Sequence, residues 1–195
     1  MKKLNLGCGR FPLPDSVNLD SRAGEGVDYV FDLDACSHAD LPFKADYFDE
    51  IHGSHVLEHI KFPLPMMEQL HRVAKDGAVM HLKLPYGSSD DAFEDPTHVR
   101  QYFLQSFGYF SQPYYWRADY GYRGDWQAID ICLSVDKNRY PERLLQEIRR
   151  TSYMNDLHSL RNVVSEMTVN LQAIKPIREP KRELQVQPTI RLIYT

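Results

Sequence analysis

Two glycines and an aspartate near the start of the chain have the spacing of a nucleoside-binding loop. The stretch LNLGCG (residues 4–9) ends in Gly7 and Gly9, and Asp20 follows 13 residues after Gly7. Dinucleotide-binding loops carry a third glycine where this chain has Pro12, and they open a helix that holds a pyrophosphate. Pro12 and a second proline two residues later leave little room for that helix. Because the Asp20 carboxylate can accept both ribose hydroxyls, the loop suits a nucleoside without phosphates.

The segment HVLEH (residues 55–59) has the residue types of a zinc peptidase of the inverted kind. Such enzymes place His-x-x-Glu-His on a helix, where two histidines bind the metal and the glutamate acts as the base. Pro63 and Pro65 end any helix soon after the motif, and the sequence offers no obvious third ligand. We therefore expect no metal. Glu58 and His59 are instead expected to begin a helix and to support the glycine loop of residues 4–9 by hydrogen bonds.

The elements that must position these residues indicate an α/β fold. Five short strand-like runs alternate with turn or helix signals, which favours a parallel sheet. Between the fourth and the fifth, PMMEQLHRVAKDG has apolar residues at helical spacing and reaches Gly77, a residue type that commonly follows a helix. This pattern predicts a crossover helix that leads into a buried strand. The predicted strands span residues 3–6, 17–19, 29–31, 48–52 and 78–84.

The second half of the chain is first aromatic and then strand-like. A short helix is expected over residues 99–107, followed by an irregular aromatic segment up to residue 126. Strict alternation of apolar and polar residues over 166–176 is typical of a half-buried strand. Two of three late strands should complete the sheet, and the pattern leaves open which two. The late elements are strands over 128–135, 166–176 and 189–195 and a helix over 141–150.

Composition limits the class of protein. The 195 residues are 43% hydrophobic and 26% charged, which suffices for one well-buried core and is short for two domains. A net charge of −4 gives no basic surface for nucleic acid. No apolar leader and no window of ~18 apolar residues occurs, so we expect a soluble protein without a membrane partner. The three cysteines form no CxxC pair, as is typical of the reducing cytoplasm; they are Cys8, Cys36 and Cys132.

Five blocks of the chain, taken in order, resemble those of one family. They are LNLGCG, VNLD, DLDA with the following DLPF, YFDEIHGSHVLEHI and KDGAVMHLKLPYG, all within residues 3–87. This chain resembles the Rossmann-fold (class I) S-adenosylmethionine-dependent methyltransferases of the small, single-domain bacterial type. Beyond residue 87 only EDPTHVRQYF is similar to the family. The resemblance implies a mostly parallel central sheet, flanked by helices and completed by a terminal antiparallel strand.

The resemblance also implies S-adenosylmethionine as the cofactor, with S-adenosylhomocysteine as its product. The glycine loop would approach the methionine part, and the acid after the second strand would bind the ribose. Asp32 and Leu33, in the turn after the third strand, would contact the adenine. Asp34 is the alternative for this contact. The residues after the fourth strand would line the sulfonium. In chain order the implied cofactor residues are Gly7, Cys8, Gly9, Asp20, Ser21, Asp32, Leu33, Gly53 and Ser54.

His98 and His55 are the candidates for a catalytic base. Methyl transfer from a sulfonium is an in-line displacement, so a base is needed only where the acceptor must lose a proton. His98 follows the fifth predicted strand, at the edge where acceptor sites form, and Tyr86 and Asp95 are near it in sequence. A purely structural role for this histidine stays open.

The aromatic run over residues 102–126 has two interpretations. One part can pack as core, namely Tyr102, Phe103, Phe107, Tyr109 and Phe110. The other part can form an acceptor lid that stacks on a sugar or planar ring and holds an anionic group; its members are Tyr114, Tyr115, Trp116, Arg117, Tyr120, Tyr122 and Arg123. The expected acceptor contacts are Tyr86, Asp95, Tyr115 and Trp116.

The sequence as a whole predicts a cytoplasmic methyltransferase that acts on an oxygen or nitrogen of a small molecule, for instance a sugar or a biosynthetic intermediate. Residues 1–195 would form one domain, with a cofactor-binding half (1–87), an aromatic acceptor-side insertion (88–127) and a sheet-completing part (128–195). One alternative is a non-catalytic, cofactor-binding partner subunit. Another is a zinc peptidase that uses His55, Glu58 and His59. The acceptor and the oligomeric state stay open.

Overall fold

Short apolar runs of the chain pair into a single eight-stranded sheet. A computed structural model describes residues 1–135, 137 and 160–195. The strands lie in the spatial order β3-β2-β1-β4-β5-β7-β6-β8. In chain order they are β1 (Lys3–Leu6), β2 (Ser16–Asp20), β3 (Tyr29–Val30), β4 (Phe48–Ser54), β5 (Ala74–Pro85), β6 (Trp126–Val135), β7 (Val164–Ala173) and β8 (Thr189–Tyr194).

The five strands predicted in the first half are confirmed, and they are parallel. β1 pairs with β2 and β4, β2 pairs with β3, and β4 pairs with β5. Their carboxyl ends therefore lie along one edge of the sheet, which is where parallel α/β sheets bind ligands. The glycine loop follows β1 at this edge, and Asp20 is the last residue of β2.

All three late strands join the sheet, so the expectation that two would do so was wrong. β7 is antiparallel to both of its neighbours, β5 and β6, whereas β8 is parallel to β6. β7 inserts between β5 and β6 and pairs with one edge of β6. The other edge of β6 is therefore available to β8, which pairs with it. The predicted antiparallel strand is therefore β7, and it lies two positions inside the edge of the sheet.

Helix α1 (Pro63–Val73) connects β4 to β5, as the apolar spacing predicts. Its buried residues include Met66, Met67 and Leu70. The expectation that Gly77 follows the helix was wrong, because Ala74 already pairs with Phe48 of β4 and the ladder begins there. Gly77 instead lies within β5 with a φ of +74°.

The helix expected over residues 99–107 is also absent from most of that range. Tyr102 forms an isolated parallel bridge with Tyr86, and the Gly87 N–H donates to the Tyr102 carbonyl over 2.7 Å. A 3-10 helix begins only afterwards, at Leu104–Phe110. A short helix, α2 (Asp91–Glu94), precedes this segment. The helix predicted over 141–150 lies outside the described residues.

The two faces of the sheet differ in character. One row across neighbouring strands is apolar and buried, and it packs in one core with α1: Leu4, Ile51, Met80 and Leu171. The adjacent row projects from the opposite face and is polar: Asn5, His52, His81 and Asn170. Among the described residues, no helix has the length and apolar character needed to cross a lipid bilayer.

Candidate active site

The glycine loop after β1 adopts a conformation that favours glycine. Gly7 and Gly9 have φ angles of +57° and +52°. A Cβ atom on Gly7 would lie 2.5 Å from Cγ2 of Val56, which belongs to the loop after β4. Between the glycines, the buried Cys8 donates its N–H to the Leu19 carbonyl over 3.1 Å. The loop is thus fixed against the ends of both β2 and β4.

Asp20 ties this loop to the end of β2. Its Oδ2 accepts the Gly9 N–H over 2.8 Å, and its Oδ1 accepts the Arg22 N–H over 3.0 Å. Oδ1 also accepts from Oγ of Ser21 over 3.5 Å, and the partly exposed carboxylate keeps a further acceptor position at Oδ2. Asp20 can therefore hold the loop and accept hydroxyl donors from a ligand at the same time.

A cleft of about 300 Å³ lies at this edge of the sheet and is lined by five of the nine predicted cofactor residues: Gly7, Asp20, Ser21, Asp32 and Leu33. The further lining side chains include Phe31, Val56 and Ile60. The cleft therefore combines carboxylates and a bare glycine backbone with an apolar wall.

The acidic turn after β3 contributes two aspartates with different surroundings. Asp32 caps the 3-10 helix Leu33–Ser37 by accepting the Asp34 N–H over 3.0 Å. Oδ1 of Asp34 accepts the N–H groups of Lys61 and Phe62 over 2.8 and 3.1 Å. Asp34 therefore links this turn to the start of α1, whereas Asp32 keeps more of its carboxylate for a ligand.

The other predicted cofactor residues lie elsewhere. Cys8, Gly53 and Ser54 line a second cavity of about 250 Å³, on the polar face of the sheet, and Gly7 contributes to both cavities. Gly53 packs tightly between strands, since a Cβ there would lie 3.1 Å from Cδ2 of Leu82. Gly9 lines neither cavity.

His55 has two carboxylate neighbours at the cleft. It lines the cleft with a side chain that is 41% exposed, and its φ is +53°. Nδ1 lies 3.4 Å from Oε1 of Glu58, and Nε2 lies 3.1 Å from Oε2 of Glu166. The nearby carboxylate of Glu58, together with that of Glu166, raises the pKa of His55 from its ordinary value although burial opposes this. Sequence reasoning missed Glu166, because only the pairing of β7 with β5 brings it here.

The peptidase alternative is wrong in its geometry. The positive φ of His55 and the 3-10 helix at Leu57–His59 replace the α-helix that the zinc motif requires. The two histidines are therefore not one α-helical turn apart. Glu58 is buried, with a side chain that is 3% exposed.

His98 is buried beside this motif. Its side chain is 5% exposed, its Nε2 lies 3.8 Å from Oδ2 of Asp95, and its ring packs edge-on against His59 at 4.7 Å between centroids. Nδ1 of His98 and both carboxylate oxygens of Glu58 are buried without a hydrogen-bond partner among the described residues. The backbone next to His98 is fixed as well, because the Glu58 carbonyl accepts the Val99 N–H over 2.9 Å.

The four predicted acceptor residues are not brought together. Tyr86 is fully buried in the core, whereas Asp95 is half-buried and Trp116 is exposed. Tyr115 alone lines a groove of about 740 Å³ between the start of α1 and the aromatic segment. Of the expected core aromatics, Tyr102, Phe107 and Phe110 are buried, whereas Tyr109 is 57% exposed.

Comparison with known proteins gives the family. The profile of the methyltransferase domain family matches residues 2–153, and the chain therefore belongs to this family. No curated protein sequence matches the chain.

Solved structures with a similar fold agree with this assignment. The YcgJ protein from Bacillus subtilis has 13% identity and a TM-score of 0.54, over 89% of this chain and 92% of that one. An S-adenosylmethionine-dependent methyltransferase from Archaeoglobus fulgidus has 16% identity and a TM-score of 0.54, over 88% and 85%. Phosphoethanolamine N-methyltransferase 2 from Haemonchus contortus, solved with S-adenosylmethionine, has 14% identity and a TM-score of 0.50, over 90% and 49%. At these identities the likeness extends to the fold.

Proposed function

We propose that this chain is a cytoplasmic S-adenosylmethionine-dependent methyltransferase that acts on an oxygen or nitrogen atom of a small-molecule acceptor. The observation that carries the proposal is the cleft at the carboxyl edge of the sheet, where Gly7, Asp20 and Leu33 line one cavity. Membership of the methyltransferase domain family supports the reaction, and the similar fold of the Archaeoglobus fulgidus enzyme supports the cofactor.

The charge of the cleft favours a cationic ligand without phosphates. Asp20, Asp32 and Asp34 line it, and its lining residues in the described part of the chain include no lysine or arginine. A negative potential attracts a sulfonium and repels a pyrophosphate. The carboxylates therefore support the interpretation of the glycine loop as one for a nucleoside.

The chain's own groups fit the parts of this cofactor. Asp20 would accept the ribose hydroxyls with the lone pairs that the backbone leaves free. Asp32 would accept from the adenine, and the apolar Leu33 would pack beside it. The bare backbone at Gly7 would border the methionine part. When bound, the cofactor supplies a methyl group on a sulfonium sulfur, open to in-line attack.

His55 is our candidate for the base. It lines the cleft, and the carboxylates of Glu58 and Glu166 would stabilise its imidazolium after it takes a proton from the acceptor. A base must contact the acceptor, and His98 is too enclosed to do so directly. We therefore assign His98 to packing against His59 rather than to proton transfer.

The acceptor would place its reactive atom beside His55 in the cleft and extend past residues 59–62 into the aromatic groove. His59 and Ile60 line the cleft, and Lys61 and Phe62 line the groove. The exposed rings of Tyr109 and Tyr120 at the groove can stack on a sugar or a planar ring.

Isothermal titration with S-adenosylmethionine and with S-adenosylhomocysteine tests the cofactor. We expect saturable binding of both by the wild-type protein. Asp20→Ala should lose about 2–3 kcal/mol of binding free energy, because a charged acceptor of two hydroxyls is removed. Asp91→Ala, which changes an exposed aspartate in α2, is the matched control and should bind like the wild type. Absence of saturable binding by the wild type would contradict the proposal.

A methyl-labelled cofactor in a cell extract tests the reaction. We expect a labelled product of low molecular mass whose formation requires the protein and is strongly reduced in Asp20→Ala. Label found in nucleic acid or protein would overturn the acceptor class. Cofactor binding with no labelled product in any fraction would favour the non-catalytic partner subunit.

A further inference from the structure

Two histidines and a glutamate converge on the polar face of the sheet, away from the cleft. His52 and His81 are register partners on β4 and β5, and Glu50 lies two residues before His52, so all three project from one face. Nε2 of His52 lies 2.5 Å from Oε1 of Glu50, and Nε2 of His81 lies 3.7 Å from the same oxygen. The two imidazole rings are stacked, with centroids 5.0 Å apart. Three ligand-type atoms therefore lie within 4.8 Å of one another.

The orientation of His81 is fixed from the next strand. Its Nδ1 lies 2.8 Å from Oδ1 of Asn170, its register partner on β7. The Nδ2 amide of Asn170 donates to Oδ2 of Asp130 over 3.3 Å, which sets the direction of the amide. Because Oδ1 can only accept, Nδ1 of His81 carries the proton, and Nε2 keeps its lone pair towards Glu50. A hydrogen bond of this kind behind a histidine is characteristic of metal ligands.

The surroundings leave room for an ion and its water ligands. The side chains of Glu50, His52 and His81 are 16%, 28% and 37% exposed. The two histidines also line the cavity of about 250 Å³ on this face. Nζ of Lys3 lies 3.4 Å from Oε2 of Glu50, which leaves Oε1 as the oxygen that faces the imidazoles.

We propose that Glu50, His52 and His81 bind a divalent transition-metal ion, with Zn²⁺ as the best fit, through Oε1 and the two Nε2 atoms. Two imidazoles and one carboxylate suit zinc, and water can fill the remaining position. The ion replaces the proton that His52 shares with Glu50, and this proton moves to Nδ1 of His52. The site does not depend on the proposed methyl transfer, and it departs from the sequence-based expectation of no metal.

The bound ion would link β4 to β5 beside the cavity that the two histidines share with Gly7 and Cys8. A second group, Glu58, His59 and His98, also has ligand-type atoms within 4.8 Å of one another. That group forms part of the candidate active site, and Thr97 engages Nδ1 of its His59. The effect of His59→Gln on Zn²⁺ binding therefore distinguishes this second group from the proposed site.

Titration of Zn²⁺ alone into chelator-treated, tag-free full-length protein tests the site. We expect one equivalent to bind to the wild type and to His38→Gln, an exposed histidine outside the cluster. Saturable binding should be lost in His52→Gln and in His81→Gln, and Asn170→Ala should weaken it about 10- to 100-fold. Thermal unfolding without metal checks that each variant is folded.

A measurement on the unsubstituted protein complements the variants. Zn²⁺ should protect His52 and His81, of the eight histidines in the chain, from diethylpyrocarbonate, as mapped by mass spectrometry. Three results would overturn the proposal. They are no Zn²⁺ binding by the wild type, binding retained by folded His52→Gln and His81→Gln, and binding that His59→Gln abolishes while the other two variants keep it.

Discussion

At the scale of single residues, Gly7 determines how closely the two cofactor-side loops approach. Alanine at this position would combine a left-handed backbone with a Cβ 2.5 Å from Cγ2 of Val56. Gly121 has a φ of +84°, but a Cβ there would meet no atom within 4 Å, so this position isolates the backbone effect. Alanine substitutions at these two glycines therefore separate the cost of backbone strain from the cost of the steric collision with Val56.

We expect Gly7→Ala to lower the free energy of unfolding by about 2–4 kcal/mol, the sum of strain and overpacking. Gly121→Ala should lower it by about 1–2 kcal/mol, since only the strain applies. Urea denaturation measures both, and Val56→Ala in the Gly7→Ala background should restore part of the loss. Equal losses in the two glycine variants would show that contact with Val56 is unimportant.

His55 gives the activity its expected dependence on pH. Glu58 and Glu166 raise its folded-state pKa above 6.5, and a base acts only when unprotonated. We therefore expect kcat/KM to fall as the pH drops through this raised pKa, so that the decline lies at higher pH than for an ordinary histidine. Glu166→Gln should move the decline to lower pH. Lys83, which pairs with the other oxygen of Glu166 at 3.0 Å, provides the control Lys83→Met, which leaves both carboxylates in place.

A pH profile of kcat/KM for the three proteins decides the role of His55. A decline at the same pH in the wild type and in Glu166→Gln would rule out His55 as the titrating base. The sequence predicts His55 and Asp20 as site residues because each directly follows or ends a strand. It could not predict Glu166, which is 111 residues away from His55 and reaches it only through the antiparallel insertion of β7.

At the scale of elements, one buried ion pair joins the segment before β8 to the aromatic segment. The carboxylate of Asp125 is fully buried and accepts from Nε and Nη2 of Arg178 over 2.8 and 2.9 Å. Nη2 also donates to Oγ of Ser111 over 3.1 Å. The pair therefore holds the connection between β7 and β8 against the chain that leads into β6.

Arg178→Met should lower the free energy of unfolding by about 3–5 kcal/mol, because it removes the cation from a buried carboxylate and leaves Asp125 with neutral donors only, such as the Gln112 N–H and Ser111 Oγ. Arg191→Met breaks a comparable pair with Asp130 at the surface and should cost no more than about 1 kcal/mol. Urea denaturation of both variants gives the comparison. Similar small losses would mean that Asp125 is neutral or hydrated in the folded protein.

Helices and strands could be predicted where the local sequence pattern determines them. Every strand of the described sheet has a counterpart in the sequence-based prediction, because period and turn residues are local properties. The end of α1 was misplaced because Ala74 pairs with Phe48, a contact between residues distant in the chain. The Tyr86–Tyr102 bridge displaced the predicted helix for the same reason.

At the scale of the whole molecule, cofactor binding should stabilise the fold by mass action. At a concentration 100 times its Kd, S-adenosylmethionine should add about 2.7 kcal/mol and raise the Tm by about 5–10 °C. Differential scanning fluorimetry measures this shift, and Asp20→Ala should show a much smaller one at the same concentration. No shift in the wild type would contradict binding to the folded state.

The antiparallel insertion of β7 has a consequence for synthesis of the protein. β7 presents its first residues at the edge of the sheet that carries the cleft, so Glu166 reaches His55 only after synthesis has passed residue 166. Until then β5 lacks the neighbour with which Val79 through Pro85 pair. The residues that line the cleft are synthesised before β7. Until β7 is made, the edge of β5 beside them is unpaired. Nascent chains of this protein should therefore depend on chaperones for the interval in which β5 is exposed.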